Sequence, residues 1–129
     1  MRELTSHKVN GLNEALQVLV LDDPGQGNAC HFYGISWVGG TPDQSDDDRE
    51  AKELLIQFQN GPIKEVGVSG VSGEALLAVI EDRLIGFQSG EYACRENACA
   101  LTHIQEAMMW LQKRTNDRMK RGVEGTNQK

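Results

Sequence analysis

The sequence has no Cys-x-x-Cys pair, no apolar run approaching membrane-spanning length, and only two Trp, two Tyr and three Phe among 129 residues. Each shortage excludes something. Three cysteines, Cys30, Cys94 and Cys99, are an odd number at spacings unlike zinc-ligand pairs, which argues against a disulfide scaffold or a structural zinc site. Without a long apolar stretch no membrane-spanning helix is expected. Residues 1–8 lack the apolar core of a signal peptide, so a reducing cytoplasm is the expected compartment. With so few rings, any packed core must be mostly aliphatic.

Positive charge is also scarce, and it is concentrated. The net charge is −6, yet residues 113–129 hold six Lys or Arg against two Asp or Glu, while residues 1–112 hold seven against seventeen. An acidic chain repels a long phosphate backbone. One small basic region suits a compact anionic ligand or an acidic partner better, so no long nucleic acid is expected.

The most regular pattern runs over residues 94–121. Asn97, Leu101, Ile104, Met108, Leu111, Thr115 and Arg118 alternate by fours and threes, which places them on one stripe of a long helix, apolar in the middle and polar at both ends. Lys113, Arg114, Arg118, Lys120 and Arg121 form a basic cluster at its end. Such a cluster also complements the helix dipole, so by itself it does not signal a ligand.

Before this helix, residues 1–13 read as a polar arm or short first strand. Residues 15–21, 29–38 and 52–59 read as three further strands, the first two joined by the turn-forming run 22–28. Residues 39–50 are a loop by composition. Its carboxylates, Asp43 and Asp46 to Asp48, have no EF-hand spacing and no His or Cys beside them, so they read as a solvated loop with no metal. The near-repeat at 67–73 matches neither the P-loop nor the dinucleotide fingerprint and reads as a connector. It leads to a helix with Ser72 as N-cap, an apolar face of Leu76, Leu77, Ile80, Leu84 and Phe87, and Gly90 as a left-handed cap. The expected fold is α+β: a small antiparallel sheet (1–66), an antiparallel helical hairpin (67–122) and a tail (123–129), within one domain.

Catalytic constellations are weak. Cys99, His103 and Glu106 share a helical flank but have no oxyanion hole, and Cys94, Cys99 and His103 supply at most three zinc ligands. Binding without chemistry fits better. Arg114 and Arg118, four apart, can grip one phosphate; Phe87 and Tyr92 offer stacking surfaces; Asn97 presents a donor and an acceptor.

The segment Cys94-Arg95-Glu96-Asn97-Ala98, continuing through residues 109–118 to Arg121-Gly122-Val123-Glu124-Gly125-Thr126, resembles the helical hairpin of phage proteins that sequester immune signalling nucleotides. Residues 58–67 fit the same pattern. That hairpin is shared by anti-CBASS sponges, which are essentially the hairpin alone, and by Thoeris anti-defence sponges, which place a small sheet before it. Strands followed by two helices make this chain similar to the Thoeris type. The resemblance implies a non-enzymatic protein of the infected bacterial cell that needs no cofactor. It would hold a cyclic ADP-ribose variant made by a TIR-domain enzyme, and in some members cyclic oligonucleotides. By position it makes Phe87 the stacking residue, Asn97 a hydrogen-bonding residue, Arg114 and Arg118 the phosphate holders, and Arg95, Arg121 and Thr126 further ligand residues. Asn97 and Arg118 lie 21 residues apart, about 30 Å along a helix, so both can touch one small ligand only across two antiparallel copies. A homodimer or hexamer is therefore expected. The competing reading is a phage protein-interaction or small nucleic-acid-binding module that uses the basic helix end.

Overall fold

The computed structural model describes residues 1–129, which form two compact units, 1–60 and 61–129.

The first unit is an antiparallel meander in the order β1 (Arg2–Leu4), β2 (Gln17–Val20), β3 (Phe32–Val38), β4 (Ala51–Gln57). Register follows from alternation: Val18 lies opposite Ile35 and Ile35 opposite Leu54, while Val20, Tyr33 and Ile56 form the next row, so one face carries the apolar set. Val20 is 1% exposed and is the fully buried side chain of the sheet. Beside it, Val18, Tyr33, Ile35, Ile56 and Phe58 line a groove of about 270 Å³, with Tyr33 and Phe58 edge to face at 5.6 Å.

The long β2–β3 connection is fixed by Asp22. Its carboxylate accepts the backbone N–H groups of His31 at 2.9 Å and Phe32 at 3.2 Å, satisfying donors that the strand ladder leaves open. The arm at the amino terminus does form a strand, but a short helix, α1 (Gly11–Ala15), intervenes before β2. Asn10 starts it by accepting the N–H of Asn13.

The second unit begins with one further short helix, α2 (Ile63–Val66), and then the hairpin of α3 (Gly73–Gln88) and α4 (Arg95–Lys120), which pack on each other. Ser72 caps α3 as expected, its hydroxyl accepting the Ala75 N–H at 3.0 Å. In α4 all seven residues of the 97–118 stripe are partly buried, whereas their neighbours Met109 and Trp110 are 65% and 70% exposed.

Two local expectations change. The partly buried stripe of α3 runs through Glu74, Leu77, Glu81, Leu84 and Gln88, so Ile80 and Phe87 are exposed rather than packed. Gly90 does not take a left-handed conformation: α3 ends on Ser89, whose N–H bonds back to Ile85 and Gly86. The left-handed cap lies at the other helix, where Gly122 has φ +72°. Its N–H bonds Met119 and that of Val123 bonds Arg118, the paired pattern of a Schellman motif.

Truncating Val20 to Ala is expected to lower the unfolding free energy by about 2 kcal/mol, read from denaturant melts. An unchanged midpoint would mean that the sheet does not pack around this side chain.

Candidate functional site

The residues singled out from the sequence all lie in the second unit and fall into two groups at the two ends of α4. Because α4 is unbroken from Arg95 to Lys120, Asn97 and Arg114 are separated by about 26 Å along its axis.

The first group surrounds the hairpin tip. Phe87 sits in the last turn of α3, 40% exposed, with the guanidinium carbon of Arg83 5.5 Å from its ring centroid. The next residue, Gln88, reaches across the turn: its side-chain oxygen accepts the backbone N–H of Cys94 at 3.0 Å. The Cys94 thiol in turn caps α4 by accepting the Asn97 N–H at 3.4 Å. Gln88, the neighbour of Phe87, is thus tied to the Asn97 backbone through a two-bond chain by way of Cys94. Arg95 is exposed in the first turn of α4.

The second group surrounds the far end. Arg114 is exposed and makes no ion pair, while Lys113 is neutralised four residues on by Asp117 at 2.8 Å. That hydrogen bond, with the positive charges of Lys113, Lys120 and Arg121, holds the Asp117 carboxyl below the usual carboxylate range. Arg118 differs from Arg114 although both share a flank. Its side chain is 17% exposed, and its Nε donates to the Glu124 carboxylate at 2.9 Å. Its Nη2 donates to the carbonyls of Val123 at 2.8 Å and Thr126 at 3.0 Å, and its Nη1 to that of Gln128. Arg118 therefore gathers residues 123–128 around one guanidinium. Arg121 bonds the Lys129 carbonyl, and the Thr126 hydroxyl donates to that of Val123, so both belong to the same folded tail.

The tail is docked on α2. The Lys64 N–H donates to the Gly125 carbonyl at 3.1 Å, and the Asn127 amide reaches the Glu65 carboxylate at 3.3 Å. Gly125 has φ +81°, and a Cβ there would meet Ile63 Cγ2 at 2.8 Å, so both conformation and space require glycine. The sequence pattern names Arg118 and Thr126 as ligand residues and does not reveal this lock. The glycines at 122 and 125 were the available signal. It also passed over Arg83, although the spacing of four to Phe87 is visible in the sequence.

The alternative constellations do not assemble. His103 Nδ1 is 3.9 Å from the Glu106 carboxylate, both side chains well exposed, and Cys99 is an exposed free thiol with no hydrogen bond to either. No three His, Cys, Asp or Glu side chains stand close enough together to hold a metal ion.

Replacing Gly125 by Ala is expected to undock the tail. Amide exchange at Lys64 should then rise at least tenfold while the amides of α4 between Leu101 and Leu111 keep their protection. Unchanged protection at Lys64 would contradict the lock.

A family model described as Acb2/Tad1, hairpin domain, matches residues 50–116, just over half of the chain. The matched segment contains Phe87, Arg95, Asn97 and Arg114 and stops before Arg118. A curated relative, Thoeris anti-defense 1 of Bacillus phage SBSphiJ7, is 50% identical over 82 residues, covering 64% of this chain and 58% of that protein. The chain thus spans less than two thirds of that relative's length. With a sheet preceding a capped two-helix hairpin, and with that hairpin matched along most of its length, this chain belongs to the Acb2/Tad1 hairpin-domain family.

Proposed function

We propose that this chain is a phage anti-defence protein that binds and sequesters, without cleaving, a cyclic nucleotide immune signal: a cyclic ADP-ribose variant from a TIR-domain enzyme, and cyclic di- or trinucleotides as further ligands. The observation that supports this reading most is the match of the hairpin to a family in which a half-identical relative is named for anti-defence against Thoeris. The chemistry at hand agrees with it. Phe87 offers a ring for a base, Asn97 a polar edge and Arg114 an unpaired guanidinium for phosphate, while Arg118, whose guanidinium holds the tail, stands beside it with Arg95, Arg121 and Thr126 as the further ligand residues of this reading. A sponge needs slow release, and a phosphate enclosed away from water is held more strongly than an exposed one.

Because α4 keeps Asn97 and Arg114 about 26 Å apart, the pocket in this reading forms between two antiparallel copies, the tip of one beside the far end of the other. A two-fold arrangement then gives two equivalent pockets, and the hexamer is the larger form in the same reading. Exposed apolar surface supports assembly as well. Val79, Ile80 and Ile85 on α3 and Met109, Trp110 and Met119 on α4 are among the apolar side chains left exposed. The protein acts in the cytoplasm of the infected cell, where the signal is made, and no helix is long and apolar enough to cross a membrane.

The test is capture followed by release. Incubated with a mixture of cyclic ADP-ribose isomers and cyclic dinucleotides, the protein should retain one class, and heating should return it chemically unchanged. A cleaved product would make it an enzyme. Phe87→Ala, Asn97→Ala and Arg114→Ala should each weaken capture about tenfold or more, with helix content unaltered. Retention that instead collapses steeply with salt, on polynucleotide as well as small ligands, would favour the nucleic-acid-binding reading.

A further inference from the structure

The candidate residues on α3 have so far been Phe87 alone, yet the helix carries a second group that packing does not explain. Leu76, Ile80, Arg83 and Phe87 follow one another by fours and a three, so Arg83 occupies a position in the middle of an otherwise apolar stripe. The helical partners within reach of its charge would lie three or four positions away. The four such positions around Arg83 hold Val79, Ile80, Gly86 and Phe87, none of them acidic. Its guanidinium makes no hydrogen bond or ion pair, and its contact is the face of the Phe87 ring at 5.5 Å.

The helix surface around Arg83 and Phe87 is exposed. Gly86 lies inside the helix next to Phe87, and a Cβ added there would meet nothing within 4 Å. A glycine is unfavourable in a helix interior and here relieves no clash, so packing gives no reason for it. Ring and unpaired cation together form a platform: a flat base can stack on the exposed part of Phe87 while the adjacent guanidinium meets the negative charge attached to that base.

We infer that Arg83 is a ligand-binding residue of the sponge, pairing with Phe87 to hold a purine nucleotide through stacking and phosphate charge at once. The inference rests on the capture reading above and adds to it a residue on α3 that contributes charge at the tip, remote from the arginines at the far end of α4. It also narrows the ligand: an uncharged nucleoside gains the stack but forgoes the cation.

The experiment measures dissociation constants for a cyclic ADP-ribose isomer with the full chain carrying Arg83→Gln, Arg83→Ala or Arg83→Lys, beside Phe87→Ala. Arg83→Gln and Arg83→Ala should bind about tenfold more weakly, with Arg83→Lys recovering much of the loss because it keeps the charge. Melting temperatures of all three should stay near that of the unmodified protein, since an exposed cation over a ring adds little to stability. Wild-type affinity in Arg83→Ala, with capture lost in Phe87→Ala, overturns the inference and leaves the sponge reading standing. Equal loss in Arg83→Lys and Arg83→Ala overturns the charge-based role. Failure of the unmodified protein to retain any cyclic nucleotide removes both readings together.

Discussion

The constraint behind everything else is the continuity of α4. Twenty-six residues of unbroken helix make a rod of about 39 Å, and a rod cannot bring its own ends together. What makes it a rod is local. Cys94 caps the first turn, a Schellman motif on Gly122 closes the last one, and no proline or internal glycine interrupts the 26 residues between. The polar groups at the two ends are thus held at a fixed separation, and a small ligand touching both must meet them on different molecules.

The same rod explains why the second unit is unevenly buried. One stripe of α4, Leu101, Ile104, Met108 and Leu111, is partly covered, while Met109 and Trp110 on another side remain more than half exposed. Two helices can cover only one stripe of each other, and a hairpin with apolar residues on a second side calls for a further surface. Assembly would supply that surface and the second half of the pocket at the same interface. Tail and tip differ in how they are ordered. Arg118 holds the tail through four hydrogen bonds, so replacing it by Ala removes a structural centre as well as a candidate phosphate contact, and loss of capture in that variant alone would not separate the two. Arg114, exposed and unpaired, is the cleaner probe of the far end.

Much of this was legible in the sequence because it is periodic. The alternation of fours and threes in α4, the Ser72 cap and the order of the sheet before the two long helices each depend on neighbours a few residues away, and the structure has them where the pattern puts them. The misplaced features depend on something else. Gly90 looked like a helix cap because glycine often is one, but the link to α4 turns without a left-handed residue there, and Gly122 takes that role instead. Ile80 and Phe87 looked buried because they extend an apolar stripe, but only a narrower stripe of α3 faces α4. The helices of five and four residues at Gly11–Ala15 and Ile63–Val66 are too short to show a period. The bonds from Arg118 to three carbonyls, and from the Lys64 N–H to the Gly125 carbonyl, end on backbone groups with no side-chain signature, and only folding reveals them.

Subunit complementation addresses the shared pocket most directly. Phe87→Ala disables the tip and Arg114→Ala the far end, so a mixed dimer of the two variants has one pocket with both defects and one with neither. Co-refolded in equal amounts, two variants that each fail to retain a cyclic ADP-ribose isomer should together regain about a quarter of the wild-type capacity, at wild-type affinity. No recovery in a mixture shown to contain the mixed dimer would mean that each pocket is built within one chain, which the length of α4 does not allow for Asn97 and Arg114 acting on one ligand.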